Sequence, residues 1–254
     1  MFITSKNAIT EAITKDLVKI LYIKSPLSKR EKEIIKIAER KKIKIKTVDK
    51  KEMESIIGKV YSIAADIEEN AEIGIDYFLE NALNKKNNPL IFILDSITDV
   101  HNLGAIIRNA YFFNLDGIII PKDNSAKINE KVYEVSQGAA YHLPICIETN
   151  LNRILDKMKY KGFWIYYASE KGDIHLENFK FDLPTAIILG NEHKGVRETI
   201  KKNSDGSIVI NSLSNFDSLN VSAASAIIGY ASISIKDLKE LLASLKNLAF
   251  GSTL

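Results

Sequence analysis

The feature that most constrains this chain is a series of short, wholly apolar segments that begins at Leu90. "LIFILD" (Leu90–Asp95) has no polar residue on either face before its last position. A strand of that composition cannot lie with one side in water; it belongs in a parallel sheet covered on both faces. The helical pattern "NLGAIIRNAYFFN" follows, and the rhythm then repeats. The strand "GIIIP" leads to the helix "NEKVYEVSQGAA", the strand "LPICIE" to the helix "NLNRILDKMKYKG". The strands "FWIYYAS", "TAIILG" and "SIVIN" come next, with a last helix from about Val221. Alternation of this kind predicts an α/β domain on a parallel sheet.

Ahead of this region "VKILYIK" and "IKIKTV" read as short strands. Between them "SKREKEIIKIAERKK" is an amphipathic helix with Ile34, Ile35, Ile37 and Ala38 on its apolar side, a βαβ rhythm. A further helix, "KKEMESIIG", closes at Gly58, a residue type suited to a helix C′ position. "EIGIDYFLENALNKKNNP" supplies another helix, and its exit, Asn84–Pro89, is the most turn-like segment of the chain. The division expected is a small domain at 1–70, a linker helix and turn at 71–88, and the larger domain at 89–254. Charge follows the same division. Residues 1–70 hold 16 Lys and Arg against 11 Asp and Glu, whereas residues 71–254 hold 19 against 21, so the net +3 of the chain arises entirely from its first part. A field of this kind attracts phosphate backbones, and the same lysines would also serve as a solubilising face.

With 46% hydrophobic and 26% charged residues the chain has a soluble, globular composition. No apolar run approaches the roughly 20 residues of a membrane helix, and "MFITSKNAITEAITKDL" lacks the apolar core of a signal peptide, so the expectation is a cytoplasmic protein with no membrane association. The single Cys146 lies in an apolar strand and reads as a packed thiol. The four histidines are scattered without zinc-ligand spacing, and no metal site is expected.

In open parallel sheets ligands bind beyond the carboxyl ends of the strands. Three of the loops expected there are unusual. In "DSITDVHNLGAIIRNA" (Asp95–Ala110), Asn102 and Gly104 are expected ahead of a helix that carries Arg108 one turn in. In "ILGNEHKGV" (Ile188–Val196), a strand ends at Gly190 before Asn191, Glu192 and Gly195. "FDSLNVSAASAIIGYASI" (Phe216–Ile233) packs Ser218, Asn220 and Ser222 against an apolar helix. Singly, each has an ordinary account as a cap, a tight turn or a surface ion pair. None matches a nucleotide fingerprint: "GNEHKG" has neither G-x-G-x-x-G nor P-loop spacing.

Together "NLGAIIR", "LGNEHKGV" and "SLNVS", in this order, resemble the three motifs of the SpoU/TrmH branch of the SPOUT methyltransferases. The resemblance covers residues 89 to about 250; "IIIPKDNSAKIN" and "VSQGAA" are similar to the ribosomal-RNA members, and the basic first part to the ribosomal-protein-like RNA-binding domain that several of them carry. It implies a deep trefoil knot in the C-terminal part of the parallel-sheet domain, S-adenosyl-L-methionine as cofactor, and methylation of a ribose 2′-hydroxyl of RNA. Large-subunit ribosomal RNA is favoured over tRNA, and the chain is expected to form a homodimer. By matching position Gly190, Ile210 and Leu219 would line the cofactor pocket, with Ala168 a further candidate. A glycine at 190 would allow backbone to approach a ligand closely.

The catalytic set implied is Arg108, Asn102, Glu192, Ser218 and Asn220. A guanidinium is a poor proton acceptor at neutral pH, so Arg108 is expected to lower the hydroxyl's pKa by its charge and to grip a neighbouring phosphate. Asn102 would orient Arg108 or the ribose, Glu192 would fix the arginine or a substrate group, and Ser222 would cap the last helix. Where many members have Pro and then Gly ahead of the third motif, this chain has Asn211 and Ser214. The competing readings are a tRNA 2′-O-methyltransferase, a catalytically silent RNA-binding SPOUT protein, and a nicotinamide-dependent oxidoreductase, the last opposed by the missing glycine fingerprint.

Overall fold

The computed structural model describes residues 1–68, 73–212 and 219–233. The first part runs β1 (Phe2–Ile3), α1 (Lys6–Thr14), β2 (Val18–Ile23), α2 (Lys29–Arg40), β3 (Lys44–Thr47), α3 (Lys50–Ile57) and β4 (Ile63–Ile67). These strands form one sheet in the order β1-β4-β2-β3. The expected βαβ unit is present as β2–α2–β3, with β2 and β3 parallel, while β4 runs antiparallel to β1 and β2. Gly58 ends α3 with φ +79°, the left-handed C-cap anticipated for it.

α2 begins with a capping box in which the Ser28 hydroxyl accepts from the Glu31 amide while the Glu31 carboxylate accepts from the Ser28 amide. Glu31 is buried and also takes Lys6 (3.0 Å) from α1 and the Ser62 hydroxyl from the edge of β4. Burial alone would raise its carboxyl pKa. The hydrogen bonds from Ser62, the Ser28 amide and Lys6 outweigh that and hold it at about 2.

After α4 (Ile75–Lys85) comes the larger sheet: β5 (Leu90–Asp95), α5 (Val100–Phe112), β6 (Gly117–Pro121), α6 (Glu130–Val135), β7 (Ile145–Glu148), α7 (Leu151–Tyr160), β8 (Trp164–Ala168), β9 (Ile174–His175), β10 (Thr185–Gly190), α8 (Glu198–Lys202), β11 (Gly206–Val209) and α9 (Val221–Ala231). Its order is β7-β6-β5-β10-β8-β11-β9, with every neighbouring pair parallel. Every residue of β5 is buried, as its composition requires. Each of its Ile, Leu and Phe side chains contributes about 1.5–3 kcal/mol by leaving water. β10, a late strand, lies between β5 and β8.

Two expectations are corrected. "NEKVYEVSQGAA" is not one helix: α6 stops at Val135, and a 3-10 turn follows at Ala139–Tyr141 after Gly138, whose φ is +89°. A Cβ at Gly138 would lie 2.6 Å from the Glu11 side chain, so contact with α1 sets the break. The same contact joins the two sheets: Thr4 donates to Glu134 (2.7 Å), Asn7 to Gln137 (3.2 Å), and Glu11 meets His142 (2.7 Å). The apolar run "SAASAIIGYASISI" (Ser222–Ile235) predicts a last helix through Ile235; the helix ends at Ala231, and the predicted continuation from 234 lies outside the described residues, as does Ser218. Among the described residues no helix is long and apolar enough to cross a membrane, and no three His, Cys, Asp or Glu side chains are grouped to hold a metal ion.

Candidate functional site

α5 begins at Val100, where the Asp99 carboxylate caps the His101 amide (2.9 Å). Asn102 and Gly104 therefore lie inside the helix, not ahead of it, and Arg108 sits two turns in. Gly104 is glycine because a Cβ there would come within 2.7 Å of Val135 on α6. Asn102, in the first turn, keeps its amide free of the backbone ladder and spends it on two other loops. Its Nδ2 donates to Glu192, in the loop after β10, and to Asp99 (3.3 Å), while its Oδ1 accepts from Asn220 Nδ2 (3.1 Å). Asn220 Oδ1 in turn accepts from the Ser222 amide (2.8 Å) and hydroxyl (2.6 Å). The helix cap of α9 is thus Asn220, and the expectation for Ser222 is corrected; Ser222 is the donor. One side chain from each of the three loops meets at this junction.

Asn109, two turns beyond Asn102 on the same stripe of α5, donates to the Ser222 carbonyl (2.8 Å) and to Ser225 Oγ (3.0 Å). A Cβ at Gly229 would stand 2.7 Å from Phe113, so α9 lies on α5 closely enough to require that glycine. Arg108 is six residues from Asn102, which at 3.6 residues per turn turns it about 120° away around the helix. It is exposed, and among the described residues it makes no hydrogen bond or ion pair; Glu192 engages Asn102 instead.

Ala168 ends β8, Gly190 ends β10, and Ile210 follows β11. These strands are neighbours in register, with Ile188 beside Tyr167 and Ile208 beside Ala168. All three residues are half-buried, and Leu219, just before Asn220, is 51% exposed. Gly190 also has a physical reason within the chain itself. A Cβ there would lie 2.4 Å from Gly195 C and Val196 N, the chain's own backbone, which folds back through an Asn191–Gly195 bridge with Gly195 at φ +65°. Asn211 anchors the start of the third loop, donating to Glu177 (2.7 Å) and meeting His175 Nδ1 (2.9 Å).

Sequence reasoning missed the clamp that holds the second loop. Asp95, fully buried at the end of β5, accepts from the Arg197 amide (2.8 Å) and Nε (2.7 Å), and Asn191 donates to the Ser96 carbonyl (3.0 Å). The signal was present: a lone carboxylate closes an otherwise apolar strand, and such a charge needs a partner.

The three loops whose spacing drew attention therefore share one corner of the larger sheet. Residues 89–230 match the SpoU rRNA methylase family. This chain belongs to that family. Relatives match over most of the chain, beyond residues 89–230. A Staphylococcus aureus chain named as a TrmH family tRNA/rRNA methyltransferase is 31% identical over 231 residues, 90% of this chain and 93% of the relative. A Bacillus subtilis chain of the same description is 28% identical over 232 residues, with the same coverage. Among solved structures, the SpoU methyltransferase of Streptomyces viridochromogenes in complex with AdoMet superposes with a TM-score of 0.75 at 19% identity, over 96% of this chain and 91% of that one. An RNA 2′-O ribose methyltransferase gives 0.71 at 17% identity, over 95% and 89%. The fold of this SpoU-family chain is accordingly that of the SPOUT methyltransferases.

Proposed function

We propose that this chain methylates a ribose 2′-hydroxyl of RNA, most specifically of large-subunit ribosomal RNA, with S-adenosyl-L-methionine as the methyl donor. The observation that carries the reading is the junction of Asn102, Glu192 and Asn220, three loops tied side chain to side chain beside the ends of β8, β10 and β11. The half-buried Ala168 and Ile210 and the half-exposed Leu219 are apolar surfaces left incompletely covered at these strand ends. That suits a planar adenine, and the backbone around Gly190 supplies polar groups for its edge. Bound there, the cofactor supplies an electrophilic methyl group on a sulfonium. The protein's part is alignment and electrostatics, which together account for most of the acceleration in a reaction without a covalent intermediate.

In this mechanism Arg108 stabilises the developing alkoxide and holds the adjoining phosphate, and its guanidinium is exposed and pairs with no other described residue. Asn102 and Asn220 orient the ribose, Glu192 fixes Asn102, and Ser218 serves as a further hydrogen-bonding group for the substrate. Residues 1–70 act as the RNA-binding domain, 71–88 as the connection, and 89–254 as the knotted catalytic domain. Along α2 and β3 the cations Lys29, Lys32, Lys36, Lys42, Lys44 and Lys46 are exposed, and among the described residues none of these is ion-paired. The exposed Phe112, Ile227 and Tyr230 on α5 and α9 support a homodimer through that face. The site of action is cytoplasmic.

The test is incubation with methyl-labelled cofactor and unmodified ribosomal or transfer RNA, followed by mapping of the labelled nucleotide. Label on a ribose that blocks alkaline cleavage supports the proposal; label on a base, or none on any RNA, overturns it. Label confined to tRNA would keep the chemistry and replace the substrate.

A further inference from the structure

Arg197 is held in a way that neutralising a buried carboxylate does not by itself account for. Asp95, shut from water, accepts the Arg197 amide at Oδ2 (2.8 Å) and Arg197 Nε at Oδ1 (2.7 Å), with Ser96 Oγ also on Oδ1 (3.2 Å). A guanidinium carries five N–H donors in a planar fork. Only the Nε donor is spent here: no described residue accepts from Nη1 or Nη2, and the side chain is 52% exposed. The edge of the fork that can meet two oxygens at once is left unspent on a side chain whose root is already fixed, so a ligand there orders it less than it would a loose surface arginine. Arg197 also stands at the site. Asp95 ends β5 in register with Gly190 of β10, and the amide of Val196, the residue before Arg197, lies 2.4 Å from where a Cβ of Gly190 would be. Glu192, earlier in the same loop, is the partner of Asn102. The charge here departs from its surroundings: over residues 193–202 Lys194, Arg197, Lys201 and Lys202 stand against Glu198 alone, whereas residues 71–254 as a whole carry more acid than base.

We propose that Arg197 binds an oxyanion of the reaction, a phosphodiester of the RNA, through Nη1 and Nη2 while Asp95 fixes its Nε. A guanidinium fork takes phosphate or carboxylate with two parallel hydrogen bonds, and both anions are at hand, the carboxylate on the methionine part of the cofactor. The charge around Arg197 favours the RNA. A run of cations suits a polyanion, whereas an amino-acid tail brings its own ammonium and needs no such field. Arg108 serves the reacting ribose and its phosphate from α5, and Arg197 adds a second grip on the backbone from the loop after β10.

This inference rests on the proposed action on RNA, and its test keeps the two apart. Arg197→Gln is the informative variant, because glutamine Nε2 falls where arginine Nε was, which leaves a donor for Asp95 and removes the charged fork. With the full-length protein and fluorescent, unmodified ribosomal and transfer RNA transcripts, anisotropy titrations at several salt concentrations should show binding about three- to tenfold weaker than wild type and a salt slope smaller by about 0.7–0.9. Calorimetric titration with S-adenosylhomocysteine and with methylthioadenosine, which lacks the carboxylate, should give wild-type affinity for both. Should the variant not fold, the wild-type protein carries the test: RNA should slow phenylglyoxal modification of Arg197, read by peptide mass, by about threefold or more, the scale of the affinity loss expected above, and S-adenosylhomocysteine should leave it unchanged. Unchanged RNA affinity and slope in folded Arg197→Gln, or no protection by RNA, overturns the assignment. A loss confined to S-adenosylhomocysteine gives the fork to the cofactor's carboxylate and overturns it as well. If a ribose is methylated while Arg197→Gln binds RNA unchanged, this inference alone falls; if the RNA results hold and no ribose is methylated, the proposed activity alone falls. Failure of the wild-type protein to bind either transcript overturns both.

Discussion

Replacing Asp95 by Asn keeps shape and removes charge, and the surroundings of Asp95 fix what that should cost. The carboxylate accepts at Oδ2 from the Arg197 amide (2.8 Å) and at Oδ1 from Arg197 Nε (2.7 Å) and Ser96 Oγ (3.2 Å). A carboxamide offers one accepting oxygen, so whichever way it turns, an N–H of Arg197 faces an NH2 group. Hydrogen bonds to a charged group contribute about 1.5–3 kcal/mol each, and a buried donor left unpaired costs about 1–3 kcal/mol. The Arg197 side chain is 52% exposed, and solvent screening reduces its share. The expected loss is about 2–4 kcal/mol, a fall in Tm of roughly 4–16 °C for a chain of this size. Arg197→Ala retains the backbone amide and should cost only about 1–2 kcal/mol. Urea unfolding at neutral pH, compared at unchanged m-value, measures both. Refutation would be a loss below about 0.5 kcal/mol for Asp95→Asn, or a larger loss for Arg197→Ala than for Asp95→Asn, since the backbone bond would then carry none of the clamp.

Arg108→Ala should abolish methyl transfer while leaving cofactor affinity within a few fold; wild-type turnover would remove Arg108 from the mechanism. Gly190→Ala should destabilise the protein by about 3 kcal/mol or more even without cofactor, because its Cβ meets rigid backbone 2.4 Å away, and thermal melts of the ligand-free protein would read this. Glu31, held at about 2 against an ordinary 4.5, gives stability that is complete above pH 4.5 and is lost as pH falls toward 2, up to about 3 kcal/mol. Glu31→Gln should flatten that acid limb in equilibrium unfolding between pH 5 and pH 2.

The larger sheet was legible because strands buried on both faces must be apolar throughout, and "LIFILD", "GIIIP" and "TAIILG" meet that demand without help from context. The loops were legible because strand ends collect residues that neither core nor helix prefers. β1 and β4 were not: two residues carry no period, and "IAADI" mixes small side chains with a charge. The pairing of β10 with β5 was equally hidden, because register between parallel strands 95 residues apart leaves no local trace. Asn220 and Ser222 are both good caps in composition, and only the meeting with Asn102 selects between them. The Asp95–Arg197 clamp spans 102 residues, and its far partner looks like any surface arginine.

β10 fills the middle of its sheet although five strands of that sheet precede it in the chain. On the ribosome β5, β6 and β7 emerge well before residue 185, so the open flank of β5 stands exposed with its backbone groups unpaired until the late strand arrives. An unpaired apolar edge of this sort is a template for association between chains. Any pause in translation before Thr185 prolongs the exposure, which makes the timing of synthesis part of what this architecture demands of its cell.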